Sequence, residues 1–179
     1  MTDSLQRALH AAALAHPVLG TAAVFCANAL LFVLVLGLVG LLWRRWTQVT
    51  YGLLARMIFS LLFATALSAV FGHLVADPRP YLAEHYAPLA HVAADNGFPS
   101  DHTLIAALLT GWAAWLSRRG WPAFAAGLGT VMLGRLAIGA HHTLDVLGSV
   151  AFAGAGLALA RLRLPVGWWT RPRWPERTA

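Results

Sequence analysis

From Pro17 to Trp43 the chain runs without one charged side chain. That alone exceeds the about 20 mostly apolar residues an α-helix needs to cross a bilayer. A second apolar run, Met57 to Ala76, lies between Arg56 and Asp77. Three more follow, at roughly 102–117, 120–140 and 143–160, each with an ionisable residue at or near one end: Asp101 and His102, Arg135, and Asp145. Composition agrees, with 59% hydrophobic and only 11% charged residues. Soluble domains carry about 25% charged residues, and disordered chains are poor in apolar ones. Both classes are excluded. A lone cysteine, Cys26, excludes an internal disulfide framework and a Cys-ligated zinc site.

The expected fold is all-α, an integral membrane helical bundle of about five transmembrane helices, forming a single domain over 1–179. Residues 1–16 read as an interfacial segment, 17–163 as the bundle with an outer loop at 77–99, and 164–179 as a cytoplasmic tail. Thr2 to Ala15 lacks the basic start and apolar centre of a cleavable signal peptide. Its stripe of Leu5, Leu9 and Ala12 or Ala13, with Gln6, Arg7 and His10 off it, predicts an amphipathic helix lying along the membrane surface. A short helix is also expected in the outer loop, within 81–95.

All thirteen basic residues are arginine, and they give the bundle a direction. Arg44, Arg45, Arg56, Arg118, Arg119, Arg161, Arg163, Arg171, Arg173 and Arg177 fall on one side of alternating spans; Arg7, Arg79 and Arg135 fall on the other. The positive-inside rule makes the richer side cytoplasmic, which places the N-terminus outside and the C-terminus inside a plasma (inner) membrane. Trp43, Trp46, Trp121, Trp168, Trp169 and Trp174 gather at that same boundary, as interfacial aromatics do. The net charge of +6 is thus membrane orientation, and no nucleic-acid partner is expected. All eight histidines and six of the seven acids fall on the outer side. Ionisable groups at helix ends in a bundle mark function by default, so the site faces outward.

Three clusters carry the chemistry. The first is Asp77-Pro78-Arg79-Pro80 after the second span, and the second is Asn96-Gly97-Phe98-Pro99-Ser100-Asp101-His102-Thr103 opening the third. The last spans Gly134-Arg135, His141 and Asp145. Arg79 and Arg135 are guanidinium forks suited to phosphate oxygens. The helix start at Ser100, a natural N-cap, also favours an anion. His141 and Asp145 stand four apart, so the carboxylate can orient one imidazole nitrogen and leave the other as a nucleophile. His102 is placed to protonate a leaving oxygen. His142 competes for Asp145, but spacing from Arg135 favours His141. Asp77, Asp95, Asp101 and Asp145 are spread over different segments, which disfavours a dinuclear metal centre.

In this order, Arg79-Pro80, Pro99-Ser100-Asp101-His102 and Arg135…His141…Asp145 resemble the three-motif signature of the type 2 phosphatidic acid phosphatase superfamily. Ala94 to Thr103, with Asp101 where the wider family often has glycine, is most similar to its bacitracin-resistance branch, the undecaprenyl-diphosphate phosphatases. The resemblance covers about residues 50–160. It implies a metal-independent lipid phosphatase without cofactor, working through a phosphohistidine on a polyprenyl diphosphate held among membrane lipids. By motif, His141 is then the nucleophile, Asp145 its orienter and His102 the general acid; Arg79, Ser100, Asp101 and Arg135 bind phosphate. Two positions depart from the pattern. The first motif's lysine is Gly72, with His73 a candidate replacement, and the serine before the third motif's arginine is Gly134. The alternatives are another lipid phosphate as substrate, or a non-enzymatic His-rich membrane protein.

Overall fold

Proline and short polar side chains decide where the helices begin. In the computed structural model, which describes residues 3–162, Asp3 caps α1 (Ser4–Ala15) by accepting the Gln6 N–H at 3.1 Å. Pro17 opens α2 (Pro17–Val24), where its missing N–H costs nothing. A π-helical turn, Phe25–Ala29, joins α2 to α3 (Leu30–Arg44), and the three run on as one helical rod, Pro17–Arg44. Thr50 caps α4 (Tyr51–Leu74) through the Leu53 N–H at 3.1 Å. Pro80 opens the single turn α5 (Pro80–Ala83), and α6 (Asp101–Leu116), α7 (Trp121–Ala137) and α8 (Thr143–Ala160) follow. The predicted tail at 164–179 lies outside the described residues.

The five expected spans are therefore present as helices, within a few residues of their sequence-read limits. Pro17–Arg44, Tyr51–Leu74 and Thr143–Ala160 are each long and apolar enough to cross a membrane. The 16 residues of α6 and 17 of α7 are shorter, about 24–26 Å at 1.5 Å per residue. α6 lies at the centre, packed by α3, α4, α7 and α8. Leu104, Ala106, Leu108, Leu109 and Ala113 on it are buried, and Trp112 donates its indole N–H to Ser60 Oγ at 3.0 Å. Lipid offers helices little hydrophobic reason to associate, so close packing of small residues must hold them. α4 and α8 meet in this way, with Ala64 and Ala153 wholly buried. Phe32, Leu36, Ile58, Leu62, Val70 and Leu147 face outward, as a lipid-facing surface requires.

One expectation needs correction. α1 buries Gln6, His10 and Ala13, whereas Leu5 is 48% exposed. The helical period was read correctly, but its phase is rotated by one residue. The reason is polar: Gln6 donates to the Leu136 carbonyl and to Tyr86 Oη, and His10 Nδ1 bonds the Ala137 carbonyl at 2.8 Å. α1 is thus docked on the end of α7. The short helix expected in the outer loop is present as the single turn Pro80–Ala83. The rest is tied by Tyr81 Oη, which donates to the Val92 and Ala93 carbonyls, and by an antiparallel backbone bridge between Pro78 and Asn96.

Candidate active site

The end of the bundle that carries the predicted clusters holds a cavity of about 540 Å³. Arg79, Asp101, His102, Arg135 and His141 all line it, so four separate elements converge there. His73, from the last turn of α4, and His91, from the outer loop, form part of the same wall.

His141 sits in the short connection between α7 and α8 and is 2% exposed. Its Nε2 lies 3.2 Å from Arg79 Nη1 and 3.1 Å from Arg135 Nη2. Guanidinium nitrogens only donate, so Nε2 must be the unprotonated, accepting nitrogen. The ring proton is then on Nδ1, which donates to the Gly97 carbonyl at 2.8 Å. Asp145 Oδ2 is further away, at 3.4 Å from Nδ1. Its stronger bond is to the His142 backbone N–H, at 2.7 Å. The expected Asp145 contact to His141 is thus shared with a backbone carbonyl that residue-type reasoning had not reached. Burial foremost, and then the Arg135 and Arg79 charges, hold the His141 imidazole well below its ordinary pKa. It is neutral at pH 7, with its Nε2 lone pair facing the two guanidinium groups.

The two arginines are held differently. Arg79, after Pro78 and before α5, pairs with Asp95, its Nε and Nη2 at 2.8 and 2.7 Å from Oδ1, and gives Nη1 to the Ala140 carbonyl at 3.0 Å. Arg135, in the last turn of α7, is 6% exposed. Its Nη1 reaches Asn28 Oδ1 at 3.4 Å, from the π-helical turn. Among the described residues its Nε has no hydrogen-bond partner. Asn28 was absent from the sequence reading, although one amide inside a charge-free apolar run was a signal for it. Such residues face the bundle interior, and π turns often sit at functional sites.

Ser100 is placed otherwise than expected. It occupies the N-cap position of α6 but makes no side-chain bond to the helix backbone. It is wholly buried, its Oγ accepts from Thr103 Oγ1 at 3.1 Å, and its neighbours Pro99, Asp101 and His102 form the cavity wall instead. Asn96 is the pin of this segment: Oδ1 accepts the Asp77 N–H, and Nδ2 donates to the carbonyls of Gly72, Val75 and Phe98. It thereby sets the position of the Gly97 carbonyl beside His141.

The acids are also less dispersed than the sequence suggested. Asp77, His142 and Asp145 offer ligand atoms within 4.8 Å of one another, because the chain folds the Asp77 loop onto the start of α8. His142 Nδ1 pairs with Asp77 Oδ2 at 3.2 Å, so it takes Asp77 as its partner and leaves Asp145 to His141. Burial, reinforced by the neighbouring Asp145 carboxylate, raises the Asp77 pKa. Among the described residues these three are a group that could hold a cation, and they lie outside the cavity lining.

Residues 53–169 match the PAP2 superfamily. This chain belongs to that superfamily. Over 78 residues it is 40% identical to undecaprenyl-diphosphatase BcrC of Bacillus subtilis (strain 168), an overlap of 43% of this chain and 40% of that protein. Over 143 residues it is 29% identical to the putative undecaprenyl-diphosphatase YbjG of Escherichia coli (strain K12), covering 78% and 71% of the two chains. No solved structure gives a significant match. The motif resemblance is thus borne out at family level.

Both departures from the PAP2 pattern have a structural setting. A Cβ on Gly134 would lie 2.7 Å from the Ala27 nitrogen and 2.9 Å from the Cys26 backbone carbon. The serine that the motif resemblance implies would force a shift here, because the π-helical turn lies against α7 at that point. A Cβ on Gly72 would lie 3.3 Å from the Phe98 carbonyl oxygen and 3.5 Å from Pro99. The end of α4 is therefore set against the second motif at the position where the motif resemblance implies lysine. His73, on the cavity wall, is the cationisable side chain that α4 offers next to that position.

Proposed function

We propose that this protein is a membrane lipid phosphatase that hydrolyses a polyprenyl diphosphate, undecaprenyl diphosphate foremost, to the monophosphate and inorganic phosphate. The reading rests most on Arg135. A guanidinium this buried, on a cavity wall and with one N–H unpartnered, requires an anion to offset its desolvation. A tetrahedral phosphoryl group beside His141 would draw donors from both arginines. The names of the two relatives supply the substrate class.

In the reaction, His141 Nε2 attacks the terminal phosphorus while the bond to the bridging oxygen breaks. His102 gives its proton to that oxygen as the lipid monophosphate departs. Phospho-His141 is then cleaved by water, whose proton returns to His102, and inorganic phosphate leaves. Nδ1–H stays on the Gly97 carbonyl throughout, with Asp145 stabilising positive charge on the ring. Arg79 and Arg135 bear the charge on the equatorial oxygens, the principal source of catalysis in phosphoryl transfer. Asp101, on the wall, and the α6 start at Ser100 complete the phosphate site. The chain is one domain, with its site at the outer face and the prenyl tail remaining in the bilayer.

The test is phosphate release by detergent-solubilised protein from undecaprenyl diphosphate, farnesyl diphosphate, phosphatidic acid and phosphatidylglycerol phosphate. Diphosphates should be preferred, vanadate should inhibit, and EDTA should leave the rate unchanged. Arg135→Ala should lose about 10³-fold, the scale of removing an essential charged stabiliser. Strict dependence on a divalent ion would overturn the phosphohistidine route and turn attention to Asp77, His142 and Asp145.

A further inference from the structure

The connection that carries His141 is held on both sides by a helix lying outside the family-matched segment. The final carbonyls of a helix have no partner within it, and α1 supplies a partner for two of those of α7. Gln6 Nε2 donates to the Leu136 carbonyl at 3.3 Å, and His10 Nδ1 bonds the Ala137 carbonyl at 2.8 Å. On the far side of His141, Asp3 accepts from both the backbone N–H and the hydroxyl of Thr143, the first residue of α8. The same helix grips the outer loop. Gln6 donates to Tyr86 Oη at 3.0 Å, and the His10 and Tyr86 rings stack at 4.4 Å. The Tyr86 ring in turn covers Gly139, whose φ of +81° marks the turn leading to His141. Gln6 and His10 are both buried.

We propose that α1 is a positioning element for the nucleophile, with Asp3 and His10 as positioning residues that fix the start of α8 and the end of α7 around His141. His141 must keep Nδ1 on the Gly97 carbonyl and Nε2 between two guanidinium groups. Its own connection is only a few residues long and contributes few bonds: Ile138 and Ala140 donate back to the Gly134 and Arg135 carbonyls. Gly139 adds a bond to the Leu136 carbonyl, and beside α1 the ends are held by Leu89, whose N–H bonds the Ile138 carbonyl at 3.2 Å, by Arg79 on the Ala140 carbonyl, and by Asp145 and Asp77 on His142. A displacement of about 1 Å in such a group costs up to about 10²-fold in rate. This role rests on the phosphatase reading for its effect on turnover, but the mechanical hold does not.

The experiment uses the full chain in detergent with farnesyl diphosphate, together with amide hydrogen exchange. Asp3→Ala should lower kcat by about 10-fold or more while KM stays within about twofold, because positioning acts on the transition state more than on lipid binding. Asp3→Asn keeps one acceptor oxygen for Thr143 and should fall between Asp3→Ala and the unmodified protein. His10→Phe retains a ring against Tyr86 and loses only the bond to Ala137, and it should lower kcat in the same sense. Exchange at amides 138–145 should rise by about 10-fold in Asp3→Ala, with α4 and α6 unchanged, as for a local opening. Unmodified kcat in both Asp3→Ala and His10→Phe would overturn the proposal, as would equal acceleration of exchange throughout the bundle. If the unmodified protein releases no phosphate from any lipid, the phosphatase reading fails alone. Exchange then decides, and unchanged protection at 138–145 overturns the hold.

Discussion

At the scale of single residues, the site turns on one imidazole whose two nitrogens have separate duties. Nδ1 is committed to the Gly97 carbonyl, and Nε2 faces two guanidinium groups. His141→Ala should therefore abolish turnover, whereas His102→Ala should slow it by about 10²–10⁴-fold, the range for losing a general acid. Labelled phosphate should accumulate on the protein in the His102 variant, and none on His141→Ala. The same burial has a consequence for stability. Below pH 6.5 the unfolded chain protonates this histidine, while the folded chain, whose His141 pKa lies well below 6.5, does not. The unfolded state then binds more protons, so stability falls as pH drops below 6.5, by about 1.4 kcal/mol per unit at full effect. His141→Gln should remove that part of the slope. Identical melting profiles between pH 7 and 5 in both proteins would show that His141 is not held neutral.

At the scale of helices, the sequence was legible where hydrophobic length and terminal residues act locally. Pro17 opens the first long helix where the charge-free run begins and the fifth span ends where it is expected, whereas Thr50 caps α4 well before the expected start at Met57. What escaped was tertiary. The phase of α1 depends on Gln6 and His10 finding carbonyls more than a hundred residues away, which no local periodicity records. Asn28 and the Gly97 carbonyl belong to the site through the packing of α7 on the π-helical turn and through the Asn96 clamp. Backbone acceptors have no residue-type signal at all. The site was most readable in Arg79, His102, Arg135 and His141, which the structure brings to one cavity, and least readable at Ser100, which it buries beneath the wall. Gly134 makes the packing argument testable. Gly134→Ser, although it supplies the serine that the motif resemblance implies, should destabilise the protein by about 1–3 kcal/mol, as overpacking does. It should also weaken turnover by shifting Arg135 against Asn28. Unchanged thermal stability in that variant would mean α7 and the π-helical turn do not meet as closely as described.

For the whole molecule, the remaining question is which way the bundle faces. The helices alternate in direction, so the ends that bear Arg44, Arg45, Arg118, Arg119 and Arg161 gather opposite the cavity. The cavity end holds Arg79 paired with Asp95 and Arg135 buried, leaving Arg7 as its exposed arginine among the described residues. We propose from this asymmetry that the arginine-rich end lies in the cytoplasm, as the positive-inside rule for short connections implies. A diphosphate lipid presented at the outer leaflet would then meet the cavity directly. The single cysteine makes the test clean: in a Cys26→Ala background, Ala87→Cys reports the outer loop and Arg119→Cys the α6–α7 connection. A membrane-impermeant maleimide added to intact cells, or to spheroplasts where an outer membrane intervenes, should modify Ala87→Cys at once. It should reach Arg119→Cys only after the membrane is opened. The reverse pattern would put the cavity inside the cell, and the substrate would then have to be a lipid phosphate of the inner leaflet.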